Sequence, residues 1–245
     1  MDGMTCGIST GAILLLCTCC ARAAPTNLGD GAGAPPEGAF SEIGPESAES
    51  RNSDAPDPGP TLSPRERDRR GDEHLLAGRF DEAIADFDAF LEAEPEYDPQ
   101  HWRRGIAYYY AGRYEEGAAQ FVRHRTVNPD DVENAAWHFL CLARATTVEE
   151  ARAAILPVGP DQRDPMRRVY ELFAGRATPQ DVLEKASSSP QRDAVFFAHL
   201  YLGLYHDALG ETIKAREHIE LAATTHGRSH YMGGVARVHA SLLRK

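Results

Sequence analysis

Cysteine is almost absent from the part of this 245-residue chain that could fold. Four of the five cysteines lie within the first 20 residues, and Cys141 is the only one beyond them. One thiol can form neither an intramolecular disulfide nor a cysteine-based zinc site, so both kinds of framework are excluded. Cys141 stands between Leu140 and Leu142 in a helical pattern, which predicts a buried, inert thiol.

Positive charge is scarce as well. The chain has 26 Lys and Arg against 37 Asp and Glu, a formal net charge of −11. An acidic surface repels phosphate backbones, so we expect no nucleic-acid partner. G-x-S-x-G and P-loop motifs are missing, and the glycines of 29–33 follow no predicted strand. We therefore expect no enzyme, no cofactor and no phosphate cradle.

No apolar run is long enough to span a membrane convincingly. Residues 7–20 would form a helix of about 21 Å, against about 30 Å of hydrocarbon core. The run has the size of a signal-peptide core, and Ala21-Arg22-Ala23 suits cleavage before Ala24. We expect residues 1–23 to be a signal peptide, and the protein to be exported to a periplasm, the cell exterior or an organelle lumen.

Two other interpretations of this leader stay open. It carries Asp2 and no early Lys or Arg, so it could be an uncleaved apolar start. It could also be a lipoprotein signal, which places Leu three residues before the modified Cys. Residues 16–19 match that pattern poorly and residues 14–17 match it worse. We expect membrane contact only if the N-terminus is lipidated.

Residues 24–64 have the composition of a tether. They hold eight of the sixteen prolines and six glycines, with Phe40 as their one aromatic residue. They contain seven acidic residues and a single basic residue, Arg51. Such a segment cannot bury enough apolar surface to offset its backbone entropy, which predicts a disordered, acidic tether.

From residue 65 to 245 the pattern is helical. Phe80, Ala83, Ile84 and Phe87 recur three or four residues apart, with carboxylates on the opposite face. Comparison of the chain with itself then shows a period of 34 residues. The first copy has Gly71, Gly78, Phe80, Ala83, Phe87 and Pro95; the second has Gly105, Gly112, Tyr114, Gly117, Phe121 and Pro129; a third has Gly203, Gly210 and Ala215.

These strings resemble the tetratricopeptide repeat (TPR) family. The resemblance implies an all-α solenoid of helix pairs, in which one glycine lets the paired helices approach and the next caps the first helix. Two degenerate pairs are expected at 131–156 and 164–186. We thus expect four to five pairs over residues 65–245, and a last helix at 229–243 that caps the open end.

A leader, a tether and few repeats are together similar to bacterial TPR lipoproteins of the cell envelope. That resemblance implies an adaptor for peptidoglycan hydrolases or proteases. We expect a non-catalytic scaffold that binds a protein or peptide partner in a concave groove lined by the first helix of each pair. The candidate partner-binding residues are Trp102, Arg103, Ile106, Tyr109, Tyr110 and Arg144. Packing of Trp102 between repeats stays open as an alternative.

Histidines carry the competing hypothesis of a metal-binding or hydrolytic protein. His226 and His230 have the i, i+4 spacing that places two imidazoles on one helix face. Gly227 and Ser229 favour a loop there instead, and the sequence predicts no metal site. Self-association through an uncapped end is a third hypothesis, and the oligomeric state stays open.

Overall fold

The structure, a computed structural model, describes residues 62–244. The predicted signal peptide and residues 24–61 of the predicted tether lie outside the described residues. The predicted boundary at residue 64 is wrong, because Ser63 caps the first helix and Pro64 is its first residue. From 62 to 244 the chain contains helices and no strand, which confirms the predicted all-α class. These residues fall within one compact unit, Asp57–Lys245.

The helices form five consecutive pairs and a last single helix. In chain order they are α1 (Pro64–Leu76), α2 (Phe80–Ala93), α3 (Trp102–Tyr110), α4 (Tyr114–His124), α5 (Val132–Ala145), α6 (Val148–Ala153), α7 (Met166–Phe173), α8 (Pro179–Ser187), α9 (Ala194–Ala208), α10 (Thr212–Ala223) and α11 (Tyr231–Leu243). A short 3-10 helix, Pro95–Gln100, joins α2 to α3.

Side-chain caps determine where several helices begin. The hydroxyl of Ser63 accepts from the backbone N–H of Glu66, whose carboxylate accepts from the Ser63 backbone, and Pro64 occupies the first helical position. Thr178 and Asp181 form the same reciprocal box at α8. Each box satisfies two donors that the first turn leaves free, so these starts are encoded locally.

Three glycines, each on the first helix of its pair, let the two helices of that pair touch. A Cβ added at Gly71 would lie 2.5 Å from the ring of Phe87, and one at Gly105 would lie 2.7 Å from the ring of Phe121. At Gly203 it would lie 2.4 Å from Ile219 and 3.0 Å from the Ile219 backbone nitrogen. Any larger residue would force the two helices of its pair apart.

The turns between paired helices share a left-handed glycine. Gly78, Gly112, Gly175 and Gly210 all have φ between 74° and 76°, in the region that L side chains rarely adopt. Each follows the end of the first helix of its pair and reverses the chain. The pair α5 and α6 lacks this glycine and turns at Thr146 instead, with φ −133° and ψ −108°.

The last helix does more than cover one end. Helix α11 packs on α10 and also contacts α1, so the first and last described helices meet. Gly234 permits this contact, because a Cβ there would lie 2.7 Å from the side chain of Leu76. The expectation of a helix that caps an open end is therefore incomplete: α11 lies against α1 and α3 as well.

Membrane-spanning character is not found in the described range. None of the helices between residues 62 and 244 combines the length and the apolar character that a bilayer crossing requires.

Replacing Gly203 tests the close packing of α9 on α10. We expect Gly203→Val to lower the free energy of unfolding by about 2 kcal/mol, because the added carbons collide with side chain and backbone of Ile219. Urea unfolding followed by circular dichroism measures the change. Valine has a higher helix propensity than glycine, so propensity alone would not lower stability at position 203. Ala119→Val, at an exposed position of α4, gives the cost of a helical valine where nothing collides. Equal losses in both variants would contradict the packing argument.

Candidate functional site

The predicted partner-binding residues lie on α3 and α5. These are the first helices of their pairs, and we call the first helices α1, α3, α5, α7 and α9 the inner helices. Most of the predicted residues already make contacts within the fold. Ile106 and Tyr109 are buried, at 0% and 5% exposure. Arg103 is bound by two carboxylates of α1, with its guanidinium 2.8 Å from Asp68 and in contact with Asp72. The expectation that these three side chains are available in an open groove is wrong, because neighbouring helices cover or pair them.

Tyr110 and Arg144 are also engaged. The ring of Tyr110 stacks on Phe80 with centroids 5.2 Å apart, and its hydroxyl lies 3.3 Å from Nδ1 of His239 on α11. Arg144 is exposed, and its guanidinium donates to the carboxylate of Asp207 at 2.5 Å. These contacts tie the C-terminal ends of the inner helices together rather than presenting them to a partner.

Helix α11 explains why the inner surface is closed. The hydroxyl of Tyr231 donates to Asp72 of α1 at 3.1 Å. The Tyr231 ring meets Trp102 of α3 edge to face, with centroids 5.1 Å apart. An inner surface rich in Trp and Tyr is costly to leave in water, and the apolar last helix covers much of it.

A cavity of about 520 Å³ remains between α3, α4, α5, α9 and α11. We refer to it as the inner cavity. It is lined by Gln100, Trp102, Phe121, His124, Asn128, Asp131, Glu133, Asn134, Trp137, Arg163, Asp193, Phe197, His230, Tyr231 and Met232. Of the six predicted partner-binding residues, Trp102 alone appears in this lining. Its volume lies within the range of small-ligand pockets, roughly 300–1,000 Å³.

Aromatic side chains form much of the wall. Both tryptophans of the chain, Trp102 and Trp137, line the inner cavity. Trp137 stacks on Phe121 with ring centroids 6.4 Å apart, and His230 stacks on Phe197 at 5.9 Å. Flat, rigid faces of this kind offer large contact area at low entropic cost.

A partly buried ionic cluster forms another part of the wall. Arg163 binds Asp131 and Asp161 at 2.5 and 2.6 Å and also contacts Glu133. Tyr201 of α9 donates to Glu133 at 2.5 Å. Burial raises the pKa of Glu133, and the neighbouring charge of Asp131 raises it further. The cluster holds the segment before α7 against α5 and α9, and so fixes this side of the cavity.

Three polar atoms of lining residues have no hydrogen-bond partner within residues 62–244. They are Oδ1 of Asn134, Nε1 of Trp137 and Nε2 of His230. Asn134 is 3% exposed and Trp137 is 2% exposed, so solvent reaches neither side chain well. A buried unsatisfied polar group costs about 1–3 kcal/mol. The three atoms have almost no accessible surface, so they lie within the wall and do not face the open cavity, and His138 and Arg152, outside the lining, also have a buried polar atom without a partner.

Asn134 and Trp137 were absent from the sequence-based prediction. Their helix belongs to a pair that matches the 34-residue period poorly, so the repeat gave no reason to place them on the inner surface. The available signal was their spacing of three residues, which puts an amide and an indole on one face of α5.

The histidines of the competing hypothesis do not come together. His226 stacks on His199 with ring centroids 5.2 Å apart, whereas His230 packs edge-on against Phe196 at 5.0 Å. His199 and His218 approach with their Nδ1 atoms 2.9 Å apart. Among the described residues no three His, Cys, Asp or Glu side chains are placed to hold a metal ion. Cys141 is fully buried, and burial raises the pKa of its thiol.

No protein-family model matches this chain.

Stability should fall in mild acid. Burial lowers the pKa of His138 and of His239 to about 4, from 6.5. Both stay neutral in the fold but protonate in the unfolded chain, so stability is lost as pH falls from 6.5 towards 4. The loss is up to about 1.4 kcal/mol per pH unit for each group. Urea unfolding at pH 7.5, 6.0 and 5.0 measures it.

His138→Leu provides the internal check on this pH dependence. We expect the variant to lose one titrating group and hence to show a smaller decline between pH 6.5 and 5.0. A wild-type stability that is flat across this interval would contradict the assignment of buried neutral histidines.

Proposed function

We propose that this chain is a non-catalytic, exported scaffold of the TPR type that holds an extended segment of a protein partner in its inner cavity. In this role it serves as an adaptor for cell-envelope enzymes. The observation that carries the proposal is a cavity of about 520 Å³ lined by aromatic side chains, between α3, α4, α5, α9 and α11.

The helix pairs support the TPR assignment. Gly71 with Phe87, Gly105 with Phe121 and Gly203 with Ile219 make the same close contact at the same spacing of 16 residues. A left-handed glycine follows seven residues after the first member of each of these contacts. Equal spacing of equivalent contacts is what a repeated two-helix unit requires.

The chemistry of the lining favours binding over catalysis. The asparagine amide and the indole N–H are hydrogen-bonding groups that do not titrate near neutral pH. Arg163 is held by three carboxylates. Cys141, the chain's one thiol beyond residue 20, is buried with a raised pKa and would be a poor nucleophile. These groups can orient a bound peptide, and none is activated to attack it.

An extended peptide suits the donors and acceptors of this cavity. Each peptide unit carries one N–H and one C=O. Asn128 and Asp193 line the cavity with accessible side chains, whose amide and carboxylate oxygens can accept from such an N–H. The aromatic rings of the lining would take the side chains of the peptide.

Capture of a partner by cavity variants tests the proposal. The full chain, carrying an affinity tag, is incubated with envelope extract of its source as wild type, Asn128→Leu or Ile213→Ala. Ile213 lies on α10 and is 86% exposed, away from the cavity lining. We expect a partner retained by wild type and Ile213→Ala and reduced at least tenfold by Asn128→Leu. A synthetic peptide from the partner should compete. Equal recovery on all three baits would refute the proposal.

The predicted export is tested by determining where the mature protein begins. We expect mass spectrometry of protein from the native host to show a chain that starts at Ala24, soluble and without a lipid. An acylated cysteine at the N-terminus would make it a tethered scaffold instead. An intact Met1 would contradict the export part of the proposal.

A further inference from the structure

Four histidines form a row across α9, α10 and the segment that leads into α11. The ring of His226, just before α11, stacks on His199 of α9 with centroids 5.2 Å apart and 5° between the planes. Nδ1 of His199 lies 2.9 Å from Nδ1 of His218 on α10. The ring of His218 in turn stacks on His206 of α9 at 5.6 Å. We call these four side chains the histidine row.

The histidine row can hold little positive charge. Two Nδ1 atoms form a hydrogen bond only when one ring donates and the other accepts, so His199 and His218 cannot both be imidazolium ions in this arrangement. An imidazolium at His226 would stack on the ring of His199, and like charges at about 5 Å repel each other. The contact between His226 and His199 therefore requires rings that are mostly neutral.

The carboxylates of the row act on its other members. Glu211 binds His206 at 2.5 Å and is shared with Lys214 at 3.2 Å, while Glu217 precedes His218 in α10. Within residues 62–244 neither carboxylate forms a hydrogen bond or ion pair with His199 or His226. These two rings thus have no anion to balance a bound proton.

A fifth histidine lies in α11 itself. His239 is 3% exposed, and its Nδ1 lies 3.3 Å from the hydroxyl of Tyr110 on α3. Its Nε2 has no hydrogen-bond partner within residues 62–244 and stands 3.6 Å from Oδ2 of Asp207. That carboxylate already accepts from Arg144 at 2.5 Å. A proton on Nε2 would place a cation in a dry site beside a carboxylate that a guanidinium already holds.

Burial keeps these rings neutral near pH 7. It lowers the pKa of His199 and of His239 to about 4, and positive charge on His218 or His226 lowers the pKa of His199 further. For the pKa of His239, Asp207 and Arg144 act in opposite directions. A proton therefore binds more readily to any state of the chain in which these rings reach water.

The histidine contacts hold α11 near both of its ends. His226 lies just before the helix, and His239 lies near its C-terminal end. Between them, Tyr231 and Met232 line the inner cavity, and the ring of Tyr231 lies against Trp102. Loss of the histidine contacts would therefore free the part of α11 that closes the cavity.

We infer that α11 is a pH-sensitive cover, which protonation of His239 and of the histidine row in mild acid releases from α1, α3 and α9 so that the inner cavity opens. The release depends only on contacts within the chain. Its use, the admission of the partner's extended segment, rests on the proposed function.

The size of the effect follows from the pKa difference. A histidine with a pKa of about 4 in the docked state and 6.5 in the released state favours docking above pH 6.5, and this preference is lost as the pH falls towards 4. Between pH 7.5 and 5.0 one such group raises the released population up to about 30-fold.

Hydrogen exchange on the full chain, followed by mass spectrometry at pH 7.5, 6.0 and 5.0, tests the release. Helix α4 packs on α3 and α5 and serves as the internal reference. After the intrinsic pH dependence of exchange is divided out, we expect protection of residues 231–243 to fall at least tenfold more than that of residues 114–124. Equal losses in both helices would mean global unfolding, and unchanged protection of α11 would mean no release; either result would overturn the inference.

Matched histidine variants identify the groups responsible. His239→Leu and His138→Leu each remove a buried histidine whose pKa is lowered to about 4, but His138 lies on α5, outside the histidine row. Each variant is compared with its own protection at pH 7.5. We expect His239→Leu to reduce the acid-induced loss of protection in α11 at least fivefold, and His138→Leu to leave it unchanged.

His226→Phe provides a second test at the other end of α11, because it keeps a flat ring on His199 without a site for a proton. We expect it to reduce the acid-induced loss of protection as well. If His239→Leu acts no more strongly than His138→Leu, and His226→Phe behaves like wild type, the assignment of the release to these histidines is overturned.

Capture of the partner at pH 7.5 and 5.5 separates the release from the proposed function. We expect recovery by the wild-type chain to rise at least threefold at pH 5.5. Equal recovery at both values, with α11 released in hydrogen exchange, would overturn the link between release and the cavity. If no partner is recovered at either pH, the proposed function fails, and hydrogen exchange alone still decides the release.

Discussion

The packing of α11 against α1 and α3 is the contact on which the rest of the inner surface depends. Gly234 lets α11 approach Leu76 of α1, and Tyr231 joins Asp72 and Trp102 from the same helix. A row of inner helices with exposed aromatic residues would be costly in water. The last helix covers that surface, and a groove becomes a bounded cavity.

The packing of the helices leaves some buried polar atoms without partners. Oδ1 of Asn134 and Nε1 of Trp137 are two of them, and Nδ1 of His138 is another that lies outside the cavity lining. Each lowers stability, because a buried polar group without a hydrogen bond is costly. Since they occur both inside and outside the lining, they belong to the packing of the fold rather than to the cavity.

Much of the helical architecture could be predicted from sequence, because its causes are local. The apolar stripe through Phe80 and Phe87, the cap at Thr178 and the glycines of the turns each act within a few residues. The cap at Ser63 is equally local, but residues 24–64 were assigned to the tether, so the start of α1 was missed. The binding residues were predicted less well. Ile106 was assigned to the inner surface, and it is fully buried, since periodicity identifies a helix face but not what covers that face.

The sequence by itself determined the helix pairs, their turns and the absence of a disulfide framework, because helical periodicity, glycine spacing and cysteine positions are properties of short segments. Only the tertiary structure decided which inner side chains remain accessible. That depends on α11, whose Tyr231 meets Asp72 across 159 residues of chain. It also depends on Asn134 and Trp137, which lie on the helix that matches the repeat least. No local pattern encodes contacts at that separation, so the cavity emerges only when the pairs are packed.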